Sequence, residues 1–229
     1  MFAVIFEVQP KKERWNDYLD LGKYLKPKLE AIEGFIDNER FESKRTKGRL
    51  LSLSTWRDEK AVVRWRTQGE HHDVQEKGRF EIFEDYHLRV GEVTDDSDPP
   101  QGHSVVQQHF DETANHMAKA VSISELTPPE GKPKIAAEHL PAQLGLDKRP
   151  TGLVDHEVFE SIYNPGKLLL LVTWRDAEAA GRWAPVATAD LGKLRHRRVR
   201  VIRDYGMTDR HEAPQFYPEA KRPHGVAAA

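Results

Sequence analysis

Ile36–Trp65, IDNERFESKRTKGRLLSLSTWRDEKAVVRW, is matched further along by Val154–Trp183, VDHEVFESIYNPGKLLLLVTWRDAEAAGRW. A constant offset of 118 positions places Asp37 on Asp155, Glu39 on Glu157 and Phe41-Glu42-Ser43 on Phe159-Glu160-Ser161. The same offset places Gly48 on Gly166 and Thr55-Trp56-Arg57-Asp58 on Thr173-Trp174-Arg175-Asp176. The chain reads as a tandem repeat. Its period is far longer than the roughly 20–50 residues of a solenoid unit, so each copy has room for its own core.

Working outward from that stretch, Phe35–Arg45 alternates as a strand with Asp37, Glu39, Phe41 and Ser43 on one face. Thr46-Lys47-Gly48 is a hairpin turn, and Arg49–Trp56 is the returning strand. Asp58 caps a second helix expected to run to about Lys77, with Ala61, Val62, Trp65 and Gly69 on its inner stripe. Upstream, Phe2–Val8 is a strand closed by Pro10. Trp15, Tyr18, Leu19, Leu25, Leu29 and Ile32 then mark one face of a helix over Lys12–Ile32, which Pro27 is expected to kink or split. Phe80–Val90 is the last strand, and a one-residue slip aligns Asp85-Tyr86 with Asp204-Tyr205.

Each copy is thus β-α-β-β-α-β, the split order in which four antiparallel strands carry two helices on one face. The other face still has apolar side chains to bury. The expected fold class is α+β, with two ferredoxin-like units in one chain and their sheets packed face to face. The expected boundaries are 1–93 for copy one, 94–116 for a linker that opens TDDSDPPQGHS, 117–209 for copy two and 210–229 for a tail. In copy two the first-helix region, Gly131–Gly152, carries Pro133, Pro141, Gly145 and Pro150, so only short helical turns are expected there. The segment VVQQHFDETANHM is left open between strand and helix.

Composition narrows the function classes. The 229 residues carry 35 basic and 37 acidic side chains, a net charge of −2, which argues against a dedicated nucleic-acid binder. No cysteine is present, so thiolate chemistry and Cys-ligated zinc are excluded. No apolar run reaches membrane-spanning length and no leader pattern is seen, so a cytoplasmic protein with no membrane partner is expected.

Copy one, through YLKPKLEAIEGFIDNERFES, LSLSTWRDEKAVVRW, EHHDVQEKGR and FEDYHLRV, resembles the antibiotic biosynthesis monooxygenase domain of the dimeric α/β-barrel superfamily. The resemblance covers Met1–Val93, and more weakly Met117 to about Asp209, where EHH is lost. It implies an intramolecular pseudo-dimeric barrel, with association into a further homodimer left open. It also implies either cofactor-independent, quinone-forming oxygenation or haem degradation.

The candidate catalytic residues are His71, His72 and Arg79, and the candidate substrate-binding residues are Trp65, Gln75, Tyr86 and Trp56. Continued helical geometry puts His72 about 20° from Trp65, on the inner stripe, and His71 about 120° away. In the family pattern His71 is the counterpart, six residues after the Trp, followed by Gln75 and Arg79. A histidine near neutral pKa suits removal of a phenol or enol proton. Arg79, set against Arg198 in the repeat, would hold the resulting anion. The expected partner is a small hydrophobic or aromatic substrate, and no metal or other cofactor is expected.

Haem is the alternative cofactor, weakened because Gln75 stands where haem-degrading relatives carry the ligating histidine and the first strand lacks their Asn. A non-catalytic barrel that binds a hydrophobic ligand or serves as an assembly module is the competing reading. The paired carboxylates of the repeat are expected to form structural ion pairs, and the basic stripe KLRHRRVRVIRD to be a solvated strand face.

Overall fold

The computed structural model describes residues 1–108, 120–130, 135–146, 149–186 and 190–214. The C-terminal tail from 215, position 189 of the repeat and most of VVQQHFDETANHM lie outside the described residues.

Eight strands form the molecule's frame: β1 Phe2–Pro10, β2 Phe35–Ser43, β3 Leu50–Trp56, β4 Phe83–Asp96, β5 Ala120–Thr127, β6 Leu153–Ser161, β7 Leu168–Trp174 and β8 Lys193–Gly206. They close into one antiparallel barrel in the order β1-β3-β2-β6-β7-β5-β8-β4. The expected α/β barrel is present, but its two sheets are not separate layers. The edges meet instead, β2 with β6 through three register pairs and β4 with β8 through a much longer ladder. Closure satisfies edge N–H and C=O groups that two stacked sheets would leave exposed.

Strand alternation divides the core. Met1, Ala3, Ile5, Phe41, Leu51, Leu53, Val121, Ile123, Phe159 and Leu171 turn inward and pack as one interior cluster. Buried charge shares that interior. Glu7 pairs with Arg89 at 2.5 Å and Glu125 pairs with Arg197, while Arg89 donates to Thr173 (2.9 Å) and Arg197 to Thr55 (3.1 Å). Burial would raise the Glu7 carboxyl, but Arg89, His87 and Arg49 outweigh it and hold the pKa at about 2. The repeat carboxylates are ion-paired as expected. Arg45 meets Asp155 (2.8 Å) and Glu157 (2.9 Å), and Lys167 meets Glu39 (2.5 Å).

Alternate residues face outward, toward the helices. Over the first half lie α1 Trp15–Glu30, α2 Glu59–Thr67 and α3 Gly69–Lys77. Helix α1 runs unbroken with Pro27 in its last turn, where the donor lost to the ring costs one bond and no further turn depends on it. The expected single second helix is interrupted at Gln68, whose backbone is extended and whose side-chain oxygen accepts from His71 N (2.6 Å) to cap α3. Over the second half lie the short α4 Leu140–Gln143 and α5 Ala177–Arg182, in keeping with the helix-poor composition there.

Two boundaries differ from the sequence reading. Thr94-Asp95-Asp96 belong to β4, not to a linker, because their carboxylates pair with the basic stripe of β8: Asp96 with Arg195 at 2.8 Å and Asp95 with Arg198 at 3.1 Å. That stripe is an ion-paired seam and not a solvated face. Strand registers also correct the slip. Phe2 faces Glu92 and Ala120 faces Arg200, so Arg89 corresponds to Arg197 and Leu88 to His196, and Arg79 has no counterpart in Arg198. Among the described residues no helix is long and apolar enough to cross a membrane.

Candidate functional site

Between the outward face of the first-half sheet and its helices lies a cavity of about 210 Å³. The covering layer explains it, because both floors pair serines with larger residues. Phe6 pairs with Ser52 and Val4 with Ser54 across β1 and β3, so small hydroxyl residues sit beside the apolar ones on the floor. The equivalent floor in the second half pairs Ser124 with Leu170 and Ser122 with Val172. There Leu140, Leu144 and Trp183 pack down on it, Trp183 lying 5.8 Å from the Trp174 ring.

The break at Gln68 decides which histidine enters. It resets the helical phase after Trp65, so the wheel continued from α2 gives the wrong residue. His71 lines the cavity and stacks on the Trp65 ring at 4.0 Å, while His72 is exposed. The His71 Nδ1–H donates to the Trp65 carbonyl at 2.9 Å, which fixes the tautomer and leaves Nε2 as an acceptor beside the Gln75 amide at 3.4 Å. Burial, reinforced by His72 and opposed by the carbonyl, lowers the His71 pKa to about 4. The imidazole is therefore neutral at physiological pH, with a pKa below the near-neutral value expected from the sequence, which makes it a weaker base.

Beyond α3 the chain makes a five-residue π-helical turn, Gly78–Ile82. Gly78 permits it, since a Cβ there would come within 2.6 Å of the Phe83 ring. The turn points Arg79 inward, 2% exposed, and Phe80 outward, 45% exposed. Arg79 donates to the Tyr86 hydroxyl at 3.2 Å.

The structure thus brings together His71, Arg79, Trp65, Gln75 and Tyr86 on one cavity. His72 and Trp56 are not on it. Trp56 is fully buried, donates its indole N–H to Ser54 Oγ at 2.9 Å and belongs to the packing of the first-half core. Sequence reasoning missed Tyr18, Asn38, Arg40 and Arg66 as walls. Asn38 and Arg40 were legible as the face of β2 opposite Asp37 and Glu39. Arg210 was missed, and Tyr205 was placed as the counterpart of Tyr86, whereas it lies beside it. Among the described residues no group of histidine and carboxylate side chains is arranged to hold a metal ion.

Residues 1–77 match the antibiotic biosynthesis monooxygenase family. A jasmonate monooxygenase of Pyricularia oryzae is 42% identical over 225 residues, spanning 96% of this chain and 100% of the relative. The chain belongs to the antibiotic biosynthesis monooxygenase family. Among solved structures, an anthrone oxidase-like protein aligns over 93% of this chain and 96% of its own at 12% identity and a TM-score of 0.37. A heme-degrading enzyme of Listeria monocytogenes aligns over 87% and 99% at 10% identity and a TM-score of 0.25. Values this low carry no argument about activity. The matched family span contains Trp65, His71 and Gln75, whereas Arg79, Tyr86, Tyr205 and Arg210 lie beyond it.

Proposed function

We propose that the first-half cavity is the active site of a monooxygenase that uses molecular oxygen without a bound cofactor. The substrate class is a compact, largely apolar molecule with an ionisable hydroxyl, an electron-rich aromatic or polyketide-like compound. The observation that carries this reading is His71, a buried neutral imidazole whose Nε2 is held as a base at the wall of an apolar cavity. Beside it the Gln75 Oε1 is buried without a donor, so a substrate O–H next to His71 has an acceptor waiting.

Removal of that proton gives an electron-rich anion able to pass an electron to oxygen. For a CH₂ group oxidised to a carbonyl, one oxygen atom enters the product and the other leaves as water. The substrate supplies all four electrons. The first half is the catalytic unit and the second, a duplicated copy, serves as the fused partner that closes the barrel. Jasmonate, from the name of the Pyricularia oryzae relative, belongs in the first substrate screen beside phenols and enols.

The test is oxygen consumption by metal-free protein, with ¹⁸O₂ labelling of the product. The reading predicts turnover and one labelled oxygen per product. Tight substrate binding with no oxygen uptake would instead establish a ligand-binding barrel. Haem is disfavoured on fit, since its macrocycle is much larger than the compact substrate class proposed and the cavity is about 210 Å³. A saturable Soret band on haemin titration, weakened in His71→Ala, would overturn that judgement.

A further inference from the structure

The β2 end of the cavity is polar and carries a positive charge. One row of the floor runs across β2, β3, β1 and β4 as Arg40, Ser52, Phe6 and Leu88, so apolar floor lies beyond that end. Helix α1 passes over Arg40 at Gly22, where an added Cβ would lie 2.8 Å from the Arg40 Nη2. Glycine is an unfavourable residue inside a helix, and here it makes room for the guanidinium. No carboxylate pairs with Arg40 among the described residues. Its hydrogen-bond partners are the Tyr163 hydroxyl, 3.3 Å from Nη1, and the Tyr18 phenol. Burial raises the Tyr18 pKa and outweighs the nearby cation, so that phenol stays neutral.

The serines beside it add donors. Ser52 Oγ accepts from Asn38 Nδ2 at 3.0 Å and Ser54 Oγ from Trp56 Nε1 at 2.9 Å, and no described residue takes either hydroxyl proton. A second bond, from Asn38 Nδ2 to the Leu53 carbonyl at 3.0 Å, fixes that amide's orientation. A half-buried cation and unengaged hydroxyl donors are costly to leave unmatched, and an electron-rich oxygen matches both.

The chemistry at His71 calls for such a group. An imidazole with a pKa of about 4 is a weak base toward a phenol, whose ordinary value is about 10. Positive charge that holds the anion narrows that gap. We infer that Arg40, with Ser52 and Ser54, holds a carbonyl oxygen conjugated to the substrate hydroxyl that faces His71. This rests on reading the cavity as the active site and His71 as its base. In the step, the substrate O–H bond breaks, an Nε2–H bond forms on His71, and the electron pair left behind delocalises onto the carbonyl oxygen. The substrate class is therefore a phenol or enol conjugated to a ketone, and Arg40 takes the role that the sequence reading gave to Arg79.

Two probes test this without turnover: 4-hydroxyacetophenone, which has the conjugated carbonyl, and 4-ethylphenol, which has the hydroxyl alone. Phenolate absorbance followed against pH, with each probe bound to the full chain, gives its bound pKa. The natural protein should lower that of 4-hydroxyacetophenone by about one unit or more from its free value, an about tenfold preference for the anion, and lower that of 4-ethylphenol far less. Arg40→Gln should abolish the shift and Arg40→Lys should restore part of it, with far-UV circular dichroism to confirm folding. Ser52→Ala, which removes one donor at little change in volume, should reduce the shift and serves as the test if the Arg40 variants do not fold. No lowering in the natural protein, or the same lowering in the variants, would overturn the subsite while leaving the cavity reading standing. Equal lowering for both phenols would overturn the carbonyl assignment. Failure of both phenols to bind would overturn the cavity reading as well.

Discussion

The two halves of the barrel share an interior and differ in what lies outside it. Inside, Glu7–Arg89 and Glu125–Arg197 occupy matching registers, and each arginine reaches a threonine of the other half, Thr173 or Thr55. Outside, both halves have two serines on the floor of the sheet, but one has long helices above it, with a cavity between them. The other has Leu170 and Val172 on the sheet, and Trp183 and two short helices above. The interior must match because each half closes on the other, so a change in one lining residue takes a partner from a buried charge in the shared space. The outer layer carries no such coupling. One copy can fill its layer while the other keeps a site.

The largest effect expected from that comparison is on stability. Arg89→Met and Arg197→Met each take the nearest cation from a buried glutamate that keeps a second one, Arg49 for Glu7 at 3.1 Å and Lys167 for Glu125 at 2.6 Å, and should cost up to the about 3–5 kcal/mol of a fully stranded charge in urea unfolding. The two losses should be alike. A large difference between them would break the claim of a matched interior. Outside, the halves should part company. Trp183→Ala, at a position 5% exposed, should cost about 3–5 kcal/mol. Trp65→Ala, which removes a half-buried cavity wall, should cost well under half of that while impairing turnover.

The next effect concerns volume. Ser52→Leu gives the first-half floor the residue found at Leu170 and should abolish ligand binding while changing stability by no more than about 1–3 kcal/mol. Unaltered binding would show that the floor does not limit the site.

Smaller effects concern pH. His71 has a lowered pKa of about 4, so the acid limb of kcat/KM should fall near that value and not near 6.5. At the mouth of the barrel the signs reverse. His87 lies 2.5 Å from Asp204 and 3.6 Å from Glu7; burial opposes its charge, but the two carboxylates outweigh it and raise its pKa. Its contribution to stability is therefore complete below the unfolded value near 6.5 and is lost as pH rises through the raised value. Arg195 sits at the corresponding place in the second half and does not titrate in that range. His87→Arg should flatten the stability profile above about pH 6.5. An unchanged slope would assign the pH dependence elsewhere.

Much of this was legible in the residues. The repeat, the strand alternation, the turns at Gly48 and Gly166 and the capping aspartates Asp58 and Asp176 are local signals, and local chemistry carries them into the structure. The candidate site was legible only in part. His71, Gln75 and Arg79 stood in the pattern of the family, yet helical phase alone pointed to His72, because a single extended residue at Gln68 breaks a helix that the hydrophobic period continues through. Tyr205 and Arg210 were out of reach for a different reason. Their place depends on how β8 pairs with β4, a contact between residues far apart in sequence. One clue was available: the acidic run at Asp95-Asp96 complements the basic run at Arg195–Arg198, and that match sets the register of the seam.

The central claim is that chemistry belongs to the first half and is started by His71. Its most direct test is steady-state oxygen consumption by His71→Gln, alongside calorimetric affinity for the same substrate. Loss of a general base predicts a fall in kcat of about 10²–10⁴-fold with affinity changed little. Turnover equal to that of the natural protein would contradict the account and remove His71 from the chemistry.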